Sequence, residues 1–131
     1  MIKLYCRMNG HHRLEEFSPP RFPIDDEVVI YTWRDATLRE LSNLVRGVLP
    51  GQQASDPTLK FSFTLLYPNP QRKGAFISRP LGWSFEGGDG VGRSLQLTDA
   101  SERTLESFRF VPGDIIDVAI YTNPAMIPRK H

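Results

Sequence analysis

Cys6 is the only cysteine in 131 residues. No intramolecular disulfide can form, and a zinc site built on paired cysteines is excluded. A reducing compartment, cytosol or nucleus, fits that usage best. Charge of one sign is missing too: sixteen Lys and Arg oppose fifteen Asp and Glu, for a net charge of +1. A protein held on nucleic acid by phosphate contacts is usually far more basic, so direct nucleic-acid binding is not expected, although a local basic patch is compatible with these numbers. No stretch approaches the roughly 18 apolar residues of a membrane helix, and Met1-Ile2-Lys3-Leu4 lacks the long apolar run of a signal peptide. What is present is 40% hydrophobic and 24% charged, ordinary globular values, in a chain long enough to bury a core without metals or disulfides.

Residues 2–8 alternate, with Ile2, Leu4, Cys6 and Met8 on one side and Lys3, Tyr5 and Arg7 on the other, the period of a half-buried strand. Asn9-Gly10 marks a turn, and residues 11–26, with three prolines and no period, read as a long loop. Residues 27–33 are rich in Val, Ile, Tyr, Thr and Trp and read as a second strand. Thr37 and Glu40 then fit a capping box. Leu38, Leu41, Leu44, Val45 and Val48 follow at helical spacing, and Pro50-Gly51 ends the helix. A third strand covers 59–67, with Phe61, Phe63 and Leu65 on one face. Residues 75–85 hold at most a short strand, interrupted by Pro80 and Gly82. Four glycines in 86–94 read as a mobile loop, 105–110 as a short turn or helix edge, Pro112-Gly113 as the centre of a type II turn, and 115–121 as the last strand. The reading is therefore one α+β domain over 1–122, a ubiquitin-like β-grasp with a mixed sheet and one main helix on one face, followed by a frayed tail at 123–131.

The chemistry-bearing motifs are weak. His11-His12-Arg13 could bind a metal or an acidic partner, but a metal needs three or four converging ligands and no third histidine or further cysteine is offered nearby. A solvated or interface loop is the simpler reading, with Arg13 pinned by Glu15 or Glu16. Gly88-Asp89-Gly90-Val91-Gly92 lacks the following helix of a dinucleotide site and the Lys-Ser or Lys-Thr of a P-loop. Composition permits a Ser-His-Asp triad, yet no serine sits in a Gly-x-Ser-x-Gly turn. Cys6 alternates with core residues and reads as a buried hydrophobe. No catalytic, cofactor or metal residue is assigned.

A helix on one sheet face leaves the other open. By alternation Tyr5 and Arg7 point there from the first strand and Asp117 and Tyr121 from the last, with Tyr31 joining from the second. Tyrosine-rich open surface is typical of interfaces. The His11, His12 and Arg13 loop extends it, and Trp33 is either core or a lid at the helix entrance. A rival reading, RNA contact, rests on Arg72-Lys73 and Arg129-Lys130, without the aromatic stacking motifs of an RNA-recognition sheet.

The segment Tyr31-Thr32-Trp33-Arg34-Asp35-Ala36-Thr37-Leu38-Arg39-Glu40-Leu41 resembles the family of the Sin-three-associated polypeptide, the eighteen-kilodalton subunit of histone deacetylase complexes. His12-Arg13, Glu16-Phe17, Leu81-Gly82, Thr104-Leu105, Phe110, Gly113-Asp114 and Asp117-Val118-Ala119-Ile120 carry the similarity over nearly the whole chain. The resemblance implies a ubiquitin-like fold without a catalytic centre. It implies association with the co-repressor scaffold of histone deacetylase complexes. It also implies membership of a splicing-linked assembly with an RNA-binding serine-rich protein and either acinus or pinin, which meets the exon junction complex. Nuclear residence follows, with the cytoplasm as a second location. Relatives often carry a leader before the first strand, and roles assigned to that leader are not carried over.

Overall fold

The computed structural model describes residues 2–17, 22–49, 51, 56, 58–85 and 99–122. The expectations placed on the glycine-rich stretch 86–94 and on the tail 123–131 lie outside these residues, as does Arg129-Lys130. The described strands and α-helix follow in the order β1 (Ile2–Met8), β2 (Glu27–Ile30), α1 (Leu38–Arg46), β3 (Lys60–Pro68), β4 (Phe76–Phe85) and β5 (Ile115–Tyr121). The strands form one mixed sheet in the order β2-β1-β5-β3-β4. β1 runs parallel to β5, while the β1–β2, β3–β4 and β3–β5 pairs are antiparallel. This is the α+β, ubiquitin-like architecture expected from the sequence.

The core lies between α1 and one sheet face. Leu38, Leu41 and Val45 pack with Ile2, Leu4, Phe61, Phe63, Ile116, Val118 and Ile120. The helix begins as the capping box requires, with Thr37 accepting from the Glu40 amide at 3.1 Å. The Leu38 and Arg39 amides, which have no partner within the helix, donate to the carbonyls of Arg103 and Ser101. The helix stops earlier than expected, at Arg46, where the Gly47 amide donates to the Asn43 and Val45 carbonyls. Val48 therefore falls outside it and is 60% exposed, and Leu44, at the margin of the apolar stripe, is 44% exposed. Both depart from the expected core.

β4 is the other departure: it is a continuous ten-residue strand. Pro80 is tolerated because β4 is an edge, where a missing N–H need not break a ladder. The pairing shifts between Phe63–Gly82 and Thr64–Pro80, which leaves Leu81 as an extra residue turned into the core. Gly82 adopts φ 126° at this bulge, a conformation closed to other residues. The turn at Pro112-Gly113 is as expected, with Gly113 at φ 98° and the Asp114 amide donating to the Val111 carbonyl at 3.0 Å.

Candidate interaction site

The second sheet face is not open. Residues 9–17 and 22–26 fold back across it in place of the plain loop expected, with short 3-10 turns at Leu14–Phe17 and Ile24–Asp26. Phe17 is fully buried there with Tyr5, Leu66 and Ile115, and Phe22 and Phe76 close the cluster. The Tyr5 ring meets Phe17 edge-on at 5.2 Å, and Phe22 meets Phe76 at 6.2 Å. Alternation correctly placed Tyr5, Asp117 and Tyr121 opposite the helix, but it does not reveal what covers that side. All three are buried, so the expectation that they stand on an open surface is corrected. The signal that was available is Phe17 and Phe22, two aromatic residues in a segment otherwise read as loop.

A polar network fastens this cover to the sheet. Asp117, in the middle of an otherwise apolar strand, accepts from His12 Nδ1 at 2.5 Å, from the His12 amide at 3.1 Å and from His11 Nδ1 at 2.7 Å. On its other side His12 Nε2 lies 2.7 Å from Asp26. The His12 ring thus sits between two carboxylates with both nitrogens positioned to donate. Burial pushes its pKa down, but the hydrogen bonds to Asp117 and Asp26 outweigh burial and leave it raised. Burial pushes the Asp117 carboxyl up, and the bonds from His11 and His12 reverse that and leave it lowered. Both shifts favour the charged pair. His12 is buried and His11 half-buried, so neither forms the solvated loop expected of them.

Arg7 and Glu16 extend the fastening. Their two hydrogen bonds, at 2.6 and 3.2 Å, tie β1 to the 3-10 turn at Leu14–Phe17. Glu16 also accepts from the Arg13 amide at 2.6 Å, so the pin expected from the Arg13 side chain is made by its backbone, while that side chain is exposed. Tyr5 donates to Glu27 at 2.9 Å, and burial followed by this bond pushes its phenol up to about 12.

One row within the network has the order of a serine hydrolase. His11 Nε2 lies 2.8 Å from Ser62 Oγ, and its Nδ1 faces Asp117. Two features argue against such chemistry. Asp117 also faces His12, and Ser62 lies inside β3, paired to both β4 and β5, so the neighbouring strand amides serve ladders and not an oxyanion. Among the described residues no group of three His, Cys, Asp or Glu is arranged to hold a metal.

Of the nine residues singled out from the sequence, Tyr31 and Trp33 are left as large exposed aromatics, at 79% and 82%. They follow β2 directly and precede the turn into α1, where the Ala36 amide donates to the Trp33 carbonyl at 3.1 Å. The alternatives of core or lid for Trp33 resolve to neither. Ile24 and Val29 are exposed in the same region, and sequence reasoning overlooked both. A cleft of about 500 Å³ opens beside Tyr5, Phe22, Ile24 and Glu27.

Residues 1–120 match the family model of Sin3 associated polypeptide p18 (SAP18). The human protein named histone deacetylase complex subunit SAP18 is 35% identical, an alignment covering 98% of this chain and 76% of that protein. Relatives with the same name from Arabidopsis thaliana and Drosophila melanogaster are 34% and 33% identical. Those alignments cover 92% and 98% of this chain, and 73% and 77% of the relatives. With the family model matched over residues 1–120 and relatives about one-third identical over most of their own length, the chain belongs to the Sin3 associated polypeptide p18 (SAP18) family.

Proposed function

We propose that this chain is a non-catalytic, protein-binding subunit of nuclear histone deacetylase co-repressor complexes. The observation that carries the reading is the pair of aromatic rings, Tyr31 and Trp33, held in water beside an edge strand. Such rings are enriched at protein interfaces, where they bury large area at low entropic cost. The name shared by the human, plant and fly relatives supports the deacetylase-complex part. The use of His11, His12 and Asp117 to fasten a chain segment supports the non-catalytic part. The family resemblance adds a second assembly, with an RNA-binding serine-rich protein and acinus or pinin. Direct RNA contact is less well supported, because the sheet face on which bases would stack lies under Phe17 and Phe22.

The test is recovery of the tagged chain from nuclear extract. Eluates are assayed for deacetylase activity and blotted for the co-repressor scaffold, acinus and pinin. Deacetylase activity and scaffold above background are expected. Background levels of both would sink the co-repressor reading, and acinus or pinin alone would confine the chain to the splicing-linked assembly.

A further inference from the structure

The two edges of the sheet are treated differently. β4 carries Pro80 and a bulge, devices that discourage a further strand, and its Trp83 is already bridged by Asp99 and Ala100. β2 carries neither proline nor glycine, and its run Glu-Val-Val-Ile is β-branched in three of four positions. Among the described residues nothing pairs with its outer side.

That free edge is apolar on both faces. Val28 and Ile30 turn toward the core, whereas Val29 and Tyr31 stand exposed. The helix supplies a second wall. Arg46 lies over Phe61 of β3 at 5.4 Å, so the flank of α1 bearing Ser42 and Arg46 faces β3 and β4. At 100° per residue Leu44 projects from the opposite flank, the side of β1 and β2. Its side chain is 44% exposed, and Val48 just beyond is 60% exposed. A strand laid along β2 would extend the sheet on the flank of α1 that bears Leu44.

The surrounding charge is mixed, with carboxylates in excess. Asp25, Asp35 and Glu40 are exposed and take part in no ion pair among the described residues, and Glu27 adds a fourth carboxylate; Lys3 and Arg34 oppose them. We propose that the outer edge of β2 receives an extended segment of a partner protein, apolar at alternate positions and basic at its ends, as an added strand covered by Leu44 and Val48. The inference rests on the protein-binding reading above and names where and how one partner docks.

The probe is a short synthetic peptide of alternating valine and threonine flanked by lysines. Two controls are its glutamate-flanked copy and its copy N-methylated at alternate amides. Amide exchange of the folded chain is followed by NMR. The lysine-flanked peptide is expected to protect amides within Glu27–Ile30 and to bind about tenfold more weakly to Leu44→Asp. Both controls should fail to protect. No protection at millimolar peptide, or equal protection by the N-methylated copy, would overturn the proposal. Protection that appears without peptide and grows with protein concentration would assign the edge to a second copy of this chain and overturn it too. Recovery of deacetylase activity with the unmodified chain is scored separately, so the docking site can fail while the assembly reading stands.

Discussion

His12 Nδ1 and Asp117 Oδ1 stand 2.5 Å apart, with 0% and 3% of the two side chains accessible. A charged pair shut away this far is sustained only by further bonds, and Asp26, His11 and the His12 amide supply them. The pair joins the central strand β5 to the segment that covers the second sheet face.

The first prediction is therefore a stability profile with two limbs. His12 is raised above its unfolded value, so its contribution is complete below the ordinary histidine pKa and is lost as pH rises through the raised one. Asp117 is lowered, so its contribution is complete above the ordinary carboxylate pKa and is lost as pH falls through the lowered one. The melting temperature should hold a plateau between these limits and fall on both sides. Asp117→Asn, which leaves His12 buried without its counter-charge, should cost about 3–5 kcal/mol and flatten both limbs. A variant with the parent's profile would show that the pair does not stabilise the fold.

The helix offers a paired comparison. Leu41 is fully buried, so Leu41→Ala should cost about 2–5 kcal/mol in chemical denaturation. Val48 lies outside the helix and is mostly exposed, so Val48→Ala should stay within about 0.5 kcal/mol of the parent. Equal losses at the two positions would mean that the chain after Gly47 packs more tightly than described.

These two residues also mark how far the sequence could be read. Leu41 and Val48 share one periodic stripe, and periodicity says which side chains align, not where the helix stops. The α-helix ends where the bonding tightens after Gly47, the Val48 and Leu49 amides reaching back only three residues to the Val45 and Arg46 carbonyls, a change no spacing rule contains. β4 is obscured for a related reason: Pro80 argues against a strand unless the strand is known to be an edge, and edge status is a property of the sheet. Strands β1, β3 and β5 and the Thr37 cap were legible because each is specified within a few residues. At the site, the facing of Tyr5 and Asp117 was legible and their burial was not. Burial there depends on Phe17 and His12, brought back over the sheet by a segment with no repeating pattern.

Cys6 should be slow to react. It is half-buried, and burial, followed by the nearby Asp117 and Asp26 charges, pushes its thiol up to about 12. Thiolate is the reactive form, so at neutral pH the native chain should be modified by Ellman's reagent far more slowly than the chain in guanidinium chloride. Matching rates in the two conditions would mean that β1 opens readily in the native state.

Tyr31 and Trp33 give the prediction on which the binding reading depends. Both rings are largely in water, and substitutions at such positions usually shift stability by no more than about 0.5 kcal/mol. The double variant Tyr31→Ala, Trp33→Ala should therefore melt with the parent. It should also lose the red-shifted, iodide-quenchable part of the tryptophan emission. The remaining ring, Trp83, packs against Tyr121 at 5.5 Å and is less open to quencher. If these rings anchor a partner, the same variant should recover markedly less deacetylase activity and co-repressor scaffold from nuclear extract, since aromatic anchors commonly contribute 2 kcal/mol or more, roughly thirtyfold in affinity. Tyr5→Ala with Tyr121→Ala is the contrasting pair. Those rings are buried, so that variant should lose stability first and binding only as a consequence. A folded Tyr31→Ala, Trp33→Ala variant with parental recovery of both partners would move the interface away from this segment. A Tyr5→Ala, Tyr121→Ala variant with parental stability would instead mean that the second sheet face is open after all.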